Sequence, residues 1–248
     1  MRVFFKASYP LFGKATKPLS TSYQQRSPYY WWWEFLRRND AYLACCADDG
    51  QGALSALYAD FGDVRDSSFK AWWSAGERGA VLFGEQPLPE RVQELNSPAD
   101  WDSAWTKDRV MVIAVPLAIS KRRMQGYFAK LLATRHSGKR GRKALSDSEA
   151  STARYPMHRS VSIETLRIQL AVYDAVTANK VAVKKKTLAQ IGKDLNLVKS
   201  AMPLAADDLR EAAYKRSVMA ATVSRYFKDA SLIVANTAKG QFPNSKQS

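Results

Sequence analysis

Six aromatic side chains fall in seven consecutive positions, Tyr29, Tyr30, Trp31, Trp32, Trp33 and Phe35, interrupted only by Glu34. Ser27 and Pro28 stand just ahead of them: a hydroxyl that can accept from the free amides of a first helical turn, and a proline whose missing N–H costs nothing there. The pattern predicts a helix. Successive helical side chains point about 100° apart, so three consecutive indoles cannot all enter one core from one face. Trp31, Trp32 and Trp33 are therefore expected to serve an internal core and also a protein-contacting surface, toward a partner or another copy of the chain.

Tyr58, Phe61, Phe69, Trp72, Trp73 and Phe83 continue the aromatic supply, broken by Gly62, Gly76 and Gly79. They read as one compact helical module over about residues 27–87, with Pro87, Pro89 and Pro98 marking a linker stretch. Residues 110–115, Val-Met-Val-Ile-Ala-Val, end at Pro116, and their β-branched content predicts a short buried strand. Beyond it, Ser120 can cap a helix with Met124, Tyr127, Phe128, Leu131 and Leu132 at helical spacing and Lys121, Arg122, Arg123, Lys130 and Arg135 outside. Ser162 begins another, with Ile163, Leu166, Leu170 and Tyr173 on one side. The expected fold is mainly α with a minor β element. It comprises a flexible segment over 1–26, an aromatic interaction module over 27–118 ending in the strand, and a basic helical region over 119–248.

Charge divides the chain the same way. The net charge is +15, yet residues 1–118 carry 13 Lys or Arg against 14 Asp or Glu, and residues 119–248 carry 25 against 9. A neutral half joined to a strongly basic half points to a polyanionic partner for the second, and nucleic acid leads. The aromatics of the first half lack the positive groove that base stacking works beside, so they read as core and protein contact.

Within the basic half, Lys184, Lys185 and Lys186 precede Thr187, which can cap a short helix carrying Leu188, Ile191 and Leu195, with Ala189 and Gly192 keeping its flank small. Asn196 tolerates the left-handed backbone of a tight interhelical turn, and Leu197 returns to the core. This is the pattern of the first helix and turn of a helix-turn-helix, expected over about 187–235. Pro203, Asp207 and Asp208 make 198–216 look like an inserted loop or an extra short helix. Residues 218–234 then place Met219, Val223, Tyr226, Phe227, Ala230, Ile233 and Val234 in one stripe and Ala221, Ser224, Arg225, Lys228 and Leu232 opposite it. Thr222, Ser224, Arg225 and Lys228, in the string ATVSRYFK, are the expected contacts to duplex DNA, with Arg225 suited to base edges and Lys228 to phosphate. Lys139, Arg140, Arg142 and Lys143, in the loop SGKRGRK, are expected on the DNA backbone.

The strings SPYYWWWEFLRRN, YADFGDV, FKAWW, KRSVMAATVSRY and NTAKGQFP together resemble a poorly characterised group of proteins from bacterial mobile elements and phages. The resemblance spans most of the chain and implies a bacterial or phage setting, with no catalytic activity attached.

No phosphate loop, dinucleotide-binding glycine pattern or nucleophile elbow is present, so neither an enzyme nor a cofactor is expected. Asp60, Asp63 and Asp66 recur every three residues and can in principle gather a divalent metal for nuclease chemistry, but turn and capping roles explain them better. Cys45 and Cys46 are adjacent and ill-placed for an ordinary disulfide, and no second cysteine pair makes a zinc site, which suits a cytoplasmic, nucleoid-associated protein. No apolar run is long enough to span a membrane.

Overall fold

The computed structural model describes residues 4–65, 68–85, 94–101, 105, 110–135, 151–160 and 162–247. The fold is mainly α. Among the described residues, the sheet structure is one antiparallel ladder, β1 (Gly13–Lys14) with β2 (Lys17–Pro18). A short α1 (Thr21–Gln24) leads into α2 (Pro28–Leu36), α3 (Asp40–Ala47), α4 (Ser55–Phe61), α5 (Phe69–Ser74) and α6 (Arg78–Phe83). Then come α7 (Lys121–Arg135), α8 (Ile163–Val181), α9 (Leu188–Asp194) and α10 (Leu209–Thr237). Several start signals act as their chemistry demands: Ser27 accepts from Tyr29 N, Ser162 from Thr165 N, and Thr187 with Gln190 closes a reciprocal capping box.

The tryptophan run departs from expectation. Trp31, Trp32 and Trp33 are 5%, 0% and 3% exposed, so none offers a contact surface to a partner. A single helix face cannot hide them, but α2 is covered from several directions. The Trp31 indole N–H donates to Gln25 O at 2.8 Å, at the end of α1. Trp32 lies among Phe61, Phe83, Tyr155 and Phe242, with ring centroids 5.1–6.3 Å away. Trp33 packs on Phe69 of α5, and the Arg37 guanidinium closes over its ring at 4.4 Å.

The lid on one side of this core is the N-terminal segment, which the sequence suggested would be flexible. Phe4 and Glu85 exchange backbone hydrogen bonds of 3.2 and 2.7 Å, and Phe5 sets its ring against Tyr29 and Trp73. The buried Glu85 carboxylate accepts from Ser151 and from the Thr152 N–H and hydroxyl, and so ties two distant stretches together.

On the other side the core continues into the basic half. Leu166 and Leu170 of α8, Ala230, Ile233 and Val234 of α10, and Phe242 belong to the same buried cluster as α2 to α6. Arg38 donates to Asp174 of α8 at 2.8 and 2.7 Å, and the Asn39 amide donates to Val234 O at 3.0 Å. The expected boundary near residue 118 therefore does not separate two cores. Apolar faces of α8 and α10 need covering as much as α2 does, and each covers the other.

The expected strand at 110–115 is also absent. No strand lies beside it among the described residues, and Met111, Val112, Ile113 and Val115 are 37–53% exposed. A strand needs a neighbour for its backbone groups, whatever its β-branched content. Ile113, Val115 and Ile119 instead share a shallow cleft with Met124, Tyr127 and Phe128 of α7, a helix without a buried residue.

Candidate nucleic-acid interface

Helices α8, α9 and α10 pack into a unit with its own small core, in which Val172 and Val176 of α8, Ile191 of α9 and Val223 of α10 are buried. Ile168, Leu195, Leu197, Tyr226 and Phe227 close around them. The crossing of α9 over α10 is set by Gly192. A Cβ there would lie 2.7 Å from Met219 Sδ and 2.9 Å from Val223 Cγ2, so the Met219 and Val223 side chains of α10 can lie against the backbone of α9 only because that position has no side chain. Asn196 takes φ +51°, and Leu197 N–H returns to Gly192 O at 3.1 Å, as the expected turn requires. Leu188 departs from its helix's apolar face and is 37% exposed.

Between α9 and α10 the geometry differs from a minimal helix-turn-helix. A 3-10 turn at Lys199–Ala201 packs Ala201 inward, and irregular chain then runs past Pro203 to Asp208 through a turn at Ala205 and Ala206, where the Asp207 N–H donates to Leu204 O at 3.2 Å. Helix α10 starts at Leu209, well before the expected 218, and runs for 29 residues. Asp208 caps it by accepting from Glu211 N at 2.7 Å. Behind the cap, Lys215 Nζ sits 2.5 Å from Asp207 Oδ1 and 3.1 Å from Glu211 Oε1. The bond to Asp207 raises the Lys215 pKa, and the Leu204 N–H followed by Lys215 lowers that of Asp207, so both stay charged. The sequence does carry this signal: Asp208 and Glu211 have capping-box spacing, which Pro203 overshadowed.

The inward stripe of α10 is as expected, with Met219, Val223, Ala230, Ile233 and Val234 buried. Opposite it, Ala221, Ser224, Arg225 and Lys228 are exposed. Arg225 rests 5.4 Å over the Tyr226 ring and, like Lys228, forms no ion pair among the described residues. Thr222 is not part of that face. It is half-buried about 200° around the helix from Ser224, with its hydroxyl donating to Val218 O at 2.9 Å.

Lys184, Lys185 and Lys186 are exposed in the loop joining α8 to α9. The C-terminal end of α8 meets α10 where Lys180 Nζ lies 4.9 Å over the Phe227 ring. Lys186 is committed to structure: its ammonium pairs with Asp194 at 2.7 Å, and Asn179 brackets its backbone N–H and C=O. Lys139, Arg140, Arg142 and Lys143 lie outside the described residues.

The aspartates of the N-terminal half are engaged elsewhere. Asp60 accepts from the Tyr155 hydroxyl at 2.6 Å and pairs with Arg154 at 2.8 Å, while Asp63 pairs with Arg65 at 2.6 Å. Burial, then the Asp60 bond, pushes the Tyr155 phenol up to about 12. Asp66 lies outside the described residues, and among those described no three metal-ligating side chains gather. Cys45 and Cys46 are buried and unbridged. No described helix is long and apolar enough to cross a membrane. Compared with protein-family models, curated proteins and solved structures, the chain matches none.

Proposed function

We propose that this chain is a non-catalytic, sequence-preferring double-stranded-DNA-binding protein, a transcriptional regulator or a maintenance factor of a bacterial mobile element or phage. The observation that carries the reading is the outward face of α10. Ser224, Arg225 and Lys228 stand exposed, the two cations without an ion pair among the described residues, back to back with a stripe locked into the core beside the Gly192 crossing. With 38 Lys and Arg against 23 Asp and Glu, many surface cations have no carboxylate to meet; Arg225 and Lys228 are set apart by sharing one exposed face of a helix packed into the core on its other side. Cations left over on one rigid helix suit phosphates and base edges, and small neighbours such as Ala221 permit close approach. Lys184 and Lys185, exposed in the loop between α8 and α9, add to the positive charge of the three-helix unit.

Competition among duplex DNA, single strands and structured RNA tests the class of ligand. Arg225→Ala should relax the preference for cognate over scrambled duplex by about 1–3 kcal/mol, the worth of a bidentate contact to guanine. Lys228→Ala should weaken both alike and lower the salt slope by about one contact. If both variants bind as the parent does, with their circular dichroism unchanged, the DNA-reading surface is not on this helix. A second reading, a nucleoprotein subunit that binds by shape and charge, draws on the long connection between α9 and α10, unlike the tight turn of a minimal reading unit. Equal affinity for cognate and scrambled duplex would favour it.

A further inference from the structure

The exposed face of α10 does not begin at Ser217 or Ala221. Followed toward the N-terminus at about 100° per residue, the same line passes through Tyr214 and Arg210. All four are exposed, Tyr214 to 70%. The first turns of α10 stand clear of the body of the protein, since Leu209 is 90% exposed and Lys215 is the first buried residue of the helix. A projecting helix end frays unless it is held. Here the Asp208 cap and the clasp of Lys215 with Asp207 and Glu211 hold it, and both use side chains off the line.

From Arg210 to Lys228 the stripe contains no carboxylate. The two acidic residues of the helix, Glu211 and Asp229, share a flank about 90° from its centre, and Glu211 is turned to Lys215. Arg210 forms no ion pair among the described residues, and neither do Arg225 and Lys228. The order along the stripe is cation, phenol, small hydroxyl, methyl, then two cations: Arg210, Tyr214, Ser217, Ala221, Arg225, Lys228. Its length is about 27 Å at about 1.5 Å per residue. A straight helix laid in the curved major groove sits deepest at its middle and climbs toward the phosphates at its ends. Small residues in the middle and long cations at both ends match that profile.

We infer that the ligand of α10 is duplex DNA engaged along the whole stripe, with Arg210 on a phosphate at the far end from Lys228 and the Tyr214 hydroxyl donating to the backbone beside it. The contact covers about eight base pairs at about 3.4 Å each. This inference rests on the duplex-binding reading above and extends it to residues that the sequence alone left in a connecting segment.

The test is fluorescence anisotropy of the full chain with a labelled mixed-sequence duplex across a salt series. Arg210→Ala should lower the slope of log affinity against log salt by about 0.9, one phosphate contact, and weaken binding about five-fold near 0.15 M salt. Tyr214→Phe should cost about two- to ten-fold with the slope unchanged, because it removes a neutral donor. Arg167→Ala, which removes the same charge from α8, is the control and should do far less. If the parent binds duplex and Arg225→Ala or Lys228→Ala weakens it, but Arg210→Ala is no worse than the control, the extended footprint is wrong and the duplex-binding reading survives. If the parent itself fails to bind duplex, or prefers single strands or structured RNA, both fall.

Discussion

Replacing Trp32 by alanine separates a core role from a surface role for the tryptophan run. A tryptophan side chain buries about 150–250 Å², which at about 25 cal/mol/Å² is about 4–6 kcal/mol of transfer free energy. Trp32 is fully buried and touches rings from α4, α6, Tyr155 and Phe242, so no single neighbour can relax into the space. The expected loss for Trp32→Ala is about 3–5 kcal/mol. That is a large share of the roughly 5–15 kcal/mol by which domains are stable. Trp32→Phe keeps a ring in the site and should recover most of it. Urea unfolding followed by far-UV circular dichroism reads the difference as a fall in midpoint at nearly constant slope. A Trp32→Ala protein that unfolds within about 1 kcal/mol of the parent, a surface-like effect, while changing its oligomeric state, would refute the core assignment and restore the partner-contact role.

Two further outcomes follow from the shared core and its ties. All seven tryptophans lie in residues 31–105, whereas α8 to α10 contribute heavily to the circular dichroism, so fluorescence and far-UV transitions should coincide. Separate midpoints, or a fragment of residues 119–248 that unfolds cooperatively alone, would mean two independent domains. The second outcome concerns pH. Burial acts to raise the pKa of Glu85, but the bonds from Ser151 and Thr152, with Lys6 nearby, outweigh it and leave the carboxyl below its ordinary 4.5. A pKa lower in the folded than in the unfolded chain contributes stability above the unfolded value and loses it as pH falls through the folded one. The melting-temperature advantage of the parent over Glu85→Gln should thus be full at neutral pH and shrink below about pH 4.5; a constant difference down to about pH 3 would show that the charge of Glu85 does not matter.

Local chemistry accounts for much of what the sequence by itself determined. The caps at Ser27, Ser162 and Thr187, the left-handed Asn196, the small Gly192 at a helix crossing and the inward stripe of α10 each depend on residues a few positions apart, so one stretch of sequence suffices to read them. The exposure of Ser224, Arg225 and Lys228 follows from the same periodicity. The tertiary structure decided what depends on distant partners. Trp31 to Trp33 are hidden because α1, α5, α6 and Phe242 close around α2, which no single-helix argument can foresee. Val110 to Val115 fail to become a strand because no strand lies beside them among the described residues, although their composition suits one. The charge boundary near residue 118 is real in the sequence, but charge is a property of surfaces. Leu166, Leu170, Ile233 and Val234 had to be buried somewhere, and the aromatic half was the apolar surface available to bury them.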